Sequence, residues 1–435
     1  MNIGIIGAGL AGLTAAYELS KAGHKVALFE KEAYLGGQAA TFEVAGERLE
    51  RFYHHIFAGD VDIVNLMAEL GLADRLIWLE SKVGFWYQGR IYDFVTPLDL
   101  LRFSPIGFLD RLRLGVAGLY LRWFKDWYRF EGITAKEWIT RYAGRRNYEV
   151  VWGPLLRSKF GQSSDEVGMV WFWGKVHLRF ASRTKVVGRE RLGYLNGSFG
   201  NLIDALAQRI LTSGGEIHPN SPVSRVVVEQ GRAVGLEVGH GDAAGFHPFE
   251  AIIATVPSTT FLNLVPQLAS DYAAKLKKTR YQAAACLVLI LKKSLSHIYW
   301  LNVSDPSIPF VAAIEHTNFI DRSAYGGKHI LYLSNYLAKD SPLYQADVDE
   351  LLAAYLPHLK RINPEFEPGW IEDCYLFSDD AGQPIVSTNY ARQIPEHRTP
   401  IAGLYLANTT QIYPEDRGMN YSVRLGMNIS KMVAE

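Results

Sequence analysis

The chain has 435 residues, with 45 Lys plus Arg balancing 45 Asp plus Glu, so no bulk charge recruits nucleic acid or an acidic partner. Its length exceeds one ordinary core and predicts two interwoven lobes. The two cysteines, Cys286 and Cys374, are far apart and outside any CxxC or Cys/His spacing, which excludes a disulfide framework and a structural zinc and fits a reducing cytoplasm.

The first seventeen residues are uncharged but contain Gly4, Gly7, Gly9 and Gly12 without a basic leader, the pattern of folded structure rather than a secretory signal. An apolar run (Ile3, Ile5, Ile6) turns through Gly7-Ala8-Gly9-Leu10-Ala11-Gly12. Leu13, Ala16, Tyr17 and Leu19 then fall at helical spacing, and a short strand, Lys25 to Phe29, ends at Glu30. The spacing predicts a βαβ unit that binds a dinucleotide. Gly7 permits the tight turn, Gly9 admits a pyrophosphate at the helix N-terminus, and Gly12 lets helix and strand pack. Glu30 is placed to accept hydrogen bonds from a ribose 2′-OH, which disfavours a 2′-phosphate.

Gly36-Gly37 follows the acid within a few residues. With it, the run Gly7 to Thr41 resembles the extended fingerprint of the flavin-containing amine oxidase superfamily. The resemblance implies FAD, with Lys31, Gly36, Gly37 and Gln38 joining Gly7 to Gly12 and Glu30 around it. No second GxGxxG occurs, so a separate NAD(P)H domain is not expected.

In "ERFYHHIFAGD", Glu50 to Asp60, an extended segment sends successive side chains to opposite faces. Glu50, Phe52 and His54 then share one face, and Arg51, Tyr53 and His55 the other. The adjacent histidines therefore do not chelate one metal, and no metal is expected. "HHIF" resembles a segment of UDP-galactopyranose mutases, relatives of the superfamily. That resemblance places His55 beside the flavin as a catalytic residue, with Tyr53 and His54 near the cofactor. An interior histidine with a satisfied hydrogen bond is the structural alternative.

Next, "GFWYQGRIYDF" reads as a hairpin about Gln88-Gly89. From Phe108 to Trp127, apolar residues at 108, 109, 112, 116, 119, 120, 123 and 127 mark one helix face, accompanied by Arg111, Arg113, Arg122 and Lys125. We expect that face to pack on its own lobe. Contact with a membrane surface is the alternative. The stretch from Ile133 to Val167 is similar to the helical region of protoporphyrinogen oxidases and carotenoid desaturases. Arg157, Lys159, Arg179 and Arg183 are candidates for holding a carboxylate or diphosphate. The aromatics of "WFWGKVHLRF" and "YWLN" are candidates for sandwiching a flat or polyene substrate, or for packing.

"SPVSRVVVEQGRAVGLEV" and "AIIATVPS" look like the family's middle segment, with Val223 against the adenosine half of the cofactor. The uncharged run Ala251 to Ser270 is broken by Pro257 and Pro266, so no spanning helix is expected. "CLVLILKK" and "KHILYLSNYL" read as buried strands. Glu315-His316-Thr317-Asn318 forms a polar cluster where a sheet is expected to meet a pocket.

The closing segment from Gly403 resembles the family's return to the flavin. Gly418, Met419 and Asn420 begin a helix whose positive end would stabilise reduced flavin. Many members have Gly-Asp where this chain has Asn408-Thr409, leaving Asn408, Thr409 or Asp416 for the ribityl contact. Arg417 neutralises reduced flavin or a substrate acid, or pairs with Asp416 or Glu415 at the surface.

The expected fold is α/β. A Rossmann-like FAD domain (1–75, 188–257, 400–435) interweaves with an α+β substrate domain (76–187, 258–399) that has a mixed sheet and a helical subdomain at about 98–187. The expected activity takes hydride from a C–H or C–N bond of a hydrophobic or cyclic small molecule onto flavin N5, favouring ring or polyene oxidation over amine oxidation. The alternatives are a mutase-like flavin enzyme acting on a nucleotide sugar without net redox, and a flavin-binding protein without turnover. A cytoplasmic location, peripheral to the inner face of a membrane if the basic helix docks there, completes the reading.

Overall fold

Alternating Ile and Gly in Asn2–Ile6 give a strand buried on both faces, which requires a parallel sheet covered by helices. The computed structural model, which describes residues 1–181, 190–239, 241 and 244–435, has that sheet. Its five strands are parallel, in the order Glu216–His218, Lys25–Phe29, Asn2–Ile6, Ala251–Ala254, Leu404–Leu406. The first βαβ unit, a middle piece and the closing piece of the chain thus meet in one sheet. Helix Leu10–Lys21 covers one face and packs against the final helix, Met419–Ala434. Gly426 permits this approach, because a Cβ there would lie 2.5 Å from the Ala11 carbonyl oxygen. A three-stranded antiparallel sheet, Val223–Glu229, Arg232–Val238 and Gly245–Pro248, adjoins this unit.

A second, seven-stranded sheet runs in the order Ile371–Pro384, Tyr281–Leu291, His329–Leu337, Ala312–Glu315, Trp300–Val303, Val83–Tyr87, Arg90–Asp93. It is antiparallel except where Trp300–Val303 meets Val83–Tyr87. The fold is therefore mixed α/β, with a mixed sheet beside the parallel one. The expected hairpin is Val83–Tyr87 with Arg90–Asp93, and Gln88 (φ 48°) and Gly89 (φ 81°) both take the left-handed conformation its two-residue turn requires.

Helices fill residues 97–181. Pro97–Arg102 starts with a reciprocal cap between Thr96 and Asp99. Phe108–Trp123 stops four residues short of the predicted end. Two π-helical turns follow, Ile139–Ala143 and Tyr148–Trp152, before Gly153–Phe160 and Met169–Ala181.

The expectation that the apolar face of Phe108–Trp123 packs inward is overturned. Leu114, Ala117 and Leu121 are buried, whereas Phe108, Leu109, Leu112, Val116, Leu119, Tyr120 and Trp123 are exposed, Leu109 by 78%. The inward stripe is narrow, and the broad apolar stripe lies opposite it. Among the described residues no helix is long and apolar enough to cross a membrane.

Candidate active site

The glycine-rich turn forms a cradle for phosphate. Gly7 has φ 99°, and a Cβ on Gly12 would sit 2.0 Å from the Gly7 carbonyl oxygen, so both glycines are required by the chain itself. Gly9 differs, because a Cβ there would meet no protein atom within 4 Å. It caps helix Leu10–Lys21 without a side-chain hydrogen bond, leaving first-turn amides open to an anion. The second glycine pair folds onto the first: Gly36 N donates to the Ala8 carbonyl at 2.8 Å, and a Cβ on Gly37 would lie 3.1 Å from the Gly9 Cα. Glu30 accepts from Ala8 N at 2.8 Å and Glu32 N at 3.0 Å, which fixes its carboxylate at the end of the second strand. Ser221 N donates to the Glu30 carbonyl at 2.7 Å, bringing Val223 to the same end. Lys31 is exposed and faces Glu32 at 3.4 Å.

Beyond this cradle lies a cavity of about 560 Å³. One end is walled by Leu100, Leu114, Ala117, Leu121, Trp138 and Leu156. The other carries Gln38, Tyr53, His54, His55, Lys159, Lys175, Asp416, Arg417, Gly418, Met419 and Asn420. Leu119, exposed at the surface, also lines it, so the apolar end reaches the outward stripe.

The period-two reading of the histidines is corrected. The strand Glu47–Glu50 ends before them and the next begins at Ile56, so no pleat alternates between these strands. Phe52, Tyr53, His54 and His55 all line the cavity. His54 Nδ1 lies 2.6 Å from the Phe52 carbonyl oxygen, and His55 Nδ1 lies 3.0 Å from the Tyr299 hydroxyl. Burial, and for His54 the Arg417 charge, lowers its pKa to about 4. Burial followed by Arg179, His54 and Lys175 lowers that of His55 to about 3. Both rings are neutral near pH 7. Trp300 meets His55 edge to face at 5.5 Å, and its indole N–H donates to Asn302 Oδ1 at 3.1 Å.

Asp416 is buried and holds Lys159 Nζ at 2.8 Å and Lys175 Nζ at 2.6 Å on one oxygen, while Gln383 donates to the other at 3.0 Å. Burial alone would raise its pKa, but the two lysines and Arg417 hold it well below the usual carboxylate range. Burial pulls Lys175 down to about 8, because its partial compensation by Asp416 is shared with Lys159. Arg417 donates to Gln383 at 3.1 Å, Gln38 at 3.1 Å and the Tyr336 hydroxyl at 3.0 Å. Glu415 pairs instead with Arg424, so Arg417 faces the cavity rather than forming a surface pair.

Residues 10–415 match the family described as flavin containing amine oxidoreductase. The chain belongs to that family. The family is flavin-containing, and the open Gly9 cradle, the uncapped helix start and Glu30 fit the diphosphate and ribose of FAD. A 15-cis-phytoene desaturase of Narcissus pseudonarcissus is 40% identical over 167 residues, 32% of this chain and 28% of that protein. A 4,4'-diapophytoene desaturase of a Methylomonas species is 25% identical over 386 residues, 79% of this chain and 71% of that protein. The chain spans 15% to 43% of the length of the plant desaturases it matches first. A solved candidate protoporphyrinogen oxidase of Exiguobacterium shares the fold, with TM-score 0.78 at 18% identity over 99% of this chain and 98% of that one.

The flavoenzyme's other expected residues divide. Asn420 lies at the cavity while its side chain accepts from Ile63 N at 3.0 Å. Both polar side-chain atoms of Asn408 are taken by Val256, Ser258 and Thr410, and Asp416 is taken by its lysines. Thr409 remains half-buried. Lys159 and Arg179 line the cavity, Arg157 is exposed, and Arg183 lies outside the described residues. The polar cluster at Glu315 is corrected: its carboxylate accepts from Leu295 N and Ser296 N, and Asn318 bonds the carbonyls of Ser296 and Ile298, so it closes a buried turn away from the cavity. Lys175 was missed, and Tyr299 was grouped only with the aromatics of "YWLN", not as a partner of His55. A lysine alone among apolar residues from Val167 to Val176 was the available signal for the first. The contact of Tyr299 with His55 had none, because the two are 244 residues apart.

Proposed function

We propose that this flavoenzyme takes hydride from a C–H or C–N bond of a lipophilic small molecule, a polyene or hydrophobic ring, that enters from a membrane surface. The observation that carries this reading is the cavity. Its apolar end is the inner face of the helix whose outer face is an exposed apolar stripe, and its polar end gathers His54, His55, Lys159, Lys175 and Arg417. Among the described residues, eleven of the fifteen exposed large apolar side chains fall between residues 98 and 142. Arg102, Arg111, Arg113, Arg122 and Lys125 flank them, a pattern suited to an anionic lipid surface. The desaturase relatives support a polyene.

When bound, FAD supplies the hydride acceptor, N5. His55 and Trp300 border the reacting region, Arg417 and the uncapped start of Met419–Ala434 offset negative charge, and the apolar wall excludes water. We divide the chain as its sequence implies, into FAD segments 1–75, 188–257 and 400–435 and a substrate domain between them. Its setting is the inner face of a membrane in a reducing compartment, where Cys286 and Cys374 stay thiols.

The test is to purify the protein with its yellow flavin and mix it anaerobically with polyenes, porphyrinogens, amines and UDP-sugars. Bleaching by a polyene or porphyrinogen is expected. Bleaching by amines alone sinks the lipophilic reading, and turnover of a UDP-sugar only after dithionite reduction, without electron loss, establishes a mutase instead.

A further inference from the structure

The two adjacent histidines differ in what holds their Nδ1 atoms, and that difference fixes where each ring carries its proton. The partner of His54 Nδ1 is the Phe52 carbonyl oxygen at 2.6 Å. A carbonyl only accepts, so Nδ1 carries the hydrogen and Nε2 keeps its lone pair. The partner of His55 Nδ1 is the Tyr299 hydroxyl at 3.0 Å, which can either donate or accept. Hydrogen-bond accounting decides between these roles. Tyr299 is 1% exposed, and among the described residues its hydroxyl has no other hydrogen-bond partner. Were His55 Nδ1–H the donor, the phenolic proton would be buried with nothing to receive it. Tyr299 therefore donates, His55 Nδ1 accepts, and Nε2 carries the hydrogen.

The position of Tyr299 is set by the fold. Its backbone N–H donates to the Lys82 carbonyl at 3.0 Å, its carbonyl accepts from Glu315 N at 2.8 Å, and its ring stacks on Phe319 at 4.5 Å. Both imidazoles line the cavity, and neither Nε2 has a partner among the described residues.

We propose that the histidine pair is polarised by the protein: His54 presents a hydrogen-bond acceptor to the cavity, His55 presents a donor, and Tyr299 is the positioning residue that sets the second. The group bound between the rings then offers a lone pair to His55 and an N–H, O–H or polarised C–H to His54. The opposite orientation leaves two donors or two acceptors face to face. The inference rests on the cavity being the reaction chamber, but not on which substrate fills it.

The experiment uses the holoprotein labelled with 15N in its histidine rings. Two-bond proton–nitrogen correlations report which nitrogen is protonated, and His54→Gln and His55→Gln assign the signals. Should either variant fail to fold, His54→Asn or His55→Asn replaces it, so that the assignment never depends on Tyr299→Phe. The expected result is a proton on Nδ1 of His54 and on Nε2 of His55. In Tyr299→Phe, the His55 tautomer ratio should shift by about tenfold, the worth of one net hydrogen bond, while the His54 pattern stays fixed. The same tautomer on both rings, or a His55 pattern indifferent to Tyr299→Phe, overturns the proposal. Flavin colour is followed in every sample. If the wild-type chain takes up no flavin, the oxidoreductase reading fails, and the tautomers are still decided on the apoprotein.

Discussion

Gly9 and Gly12 are three residues apart but lack side chains for different reasons. A Cβ on Gly12 collides with the Gly7 carbonyl at 2.0 Å, whereas one on Gly9 points into space that no protein atom fills. Gly12→Ala should therefore destabilise the apoprotein itself. Gly9→Ala should leave apoprotein stability within about 0.5 kcal/mol yet weaken FAD binding by roughly tenfold or more, about 1.4 kcal/mol. Apoprotein melting and flavin titration separate the two, and equal effects of both substitutions on melting would show that Gly9 too is structural. The pattern was legible here because glycine spacing encodes geometry directly. The histidines were not, because period two holds only inside a strand and the strand stops at Glu50. Their burial has a measurable consequence. With folded pKa values of about 4 and about 3 against about 6.5 unfolded, the unfolded chain binds protons first as pH falls. The stability they contribute is complete above pH 6.5 and is lost toward pH 4. Burial raises Asp60 to about 6 and Glu315 to about 7, which acts in the opposite direction, so the slope of the wild-type protein alone is ambiguous. The difference is not: between pH 7 and pH 4 the wild type should lose about 3 kcal/mol more than His55→Gln, measured by urea unfolding at both pH values. Parallel slopes would mean that His55 is solvated.

The helix Phe108–Trp123 shows what periodicity does and does not reveal about an element. Its apolar stripe was plain in the sequence, but a stripe does not name what it faces. The residues buried against the protein are the smaller set Leu114, Ala117 and Leu121, and the larger set stays exposed. The hairpin at Gln88-Gly89 was legible from turn chemistry, and the strands Tyr281–Leu291 and His329–Leu337 from short apolar runs rich in residues that favour strands. The π-helical turns, which place Ile139, Ala143 and Trp152 on the cavity wall, have no comparable signature. If the outer stripe meets lipid, each large apolar side chain contributes about 1.5 kcal/mol or more on burial. Leu109→Glu with Val116→Glu should then reduce co-sedimentation with anionic vesicles by roughly a hundredfold. Stability should barely change, since both side chains are exposed in the folded chain. Leu114→Glu should instead unfold the protein. Undiminished vesicle binding by the double variant would remove this helix as the docking element.

For the whole molecule, the sequence led us to expect distant segments to join, and the parallel sheet does pair strands from the first, middle and closing parts of the chain, but it did not show how the rest closes upon them, because that closure depends on single long-range contacts. Asp416 is the main one. From the closing segment it holds Lys159 of Gly153–Phe160 and Lys175 of Met169–Ala181, and it accepts from Gln383 of the seven-stranded sheet. Two ammonium groups on one buried carboxylate are not an efficient way to stabilise a fold, because desolvating three charges costs about as much as their attraction returns. The asymmetry yields a test. Asp416→Asn strands two half-buried cations and should cost up to about 3 kcal/mol, while Asp416→Asn with Lys159→Met and Lys175→Met removes both sides of the cluster and should recover most of that loss. If the triple variant unfolds as easily as the single one, the cluster is a structural clasp. If it is restored in urea unfolding and keeps its flavin colour but no longer reduces flavin with substrate, the charges are there for the cavity. That second outcome is expected, since both lysines line the same chamber as His54, His55 and Arg417, and a purely structural cluster has no need to face it.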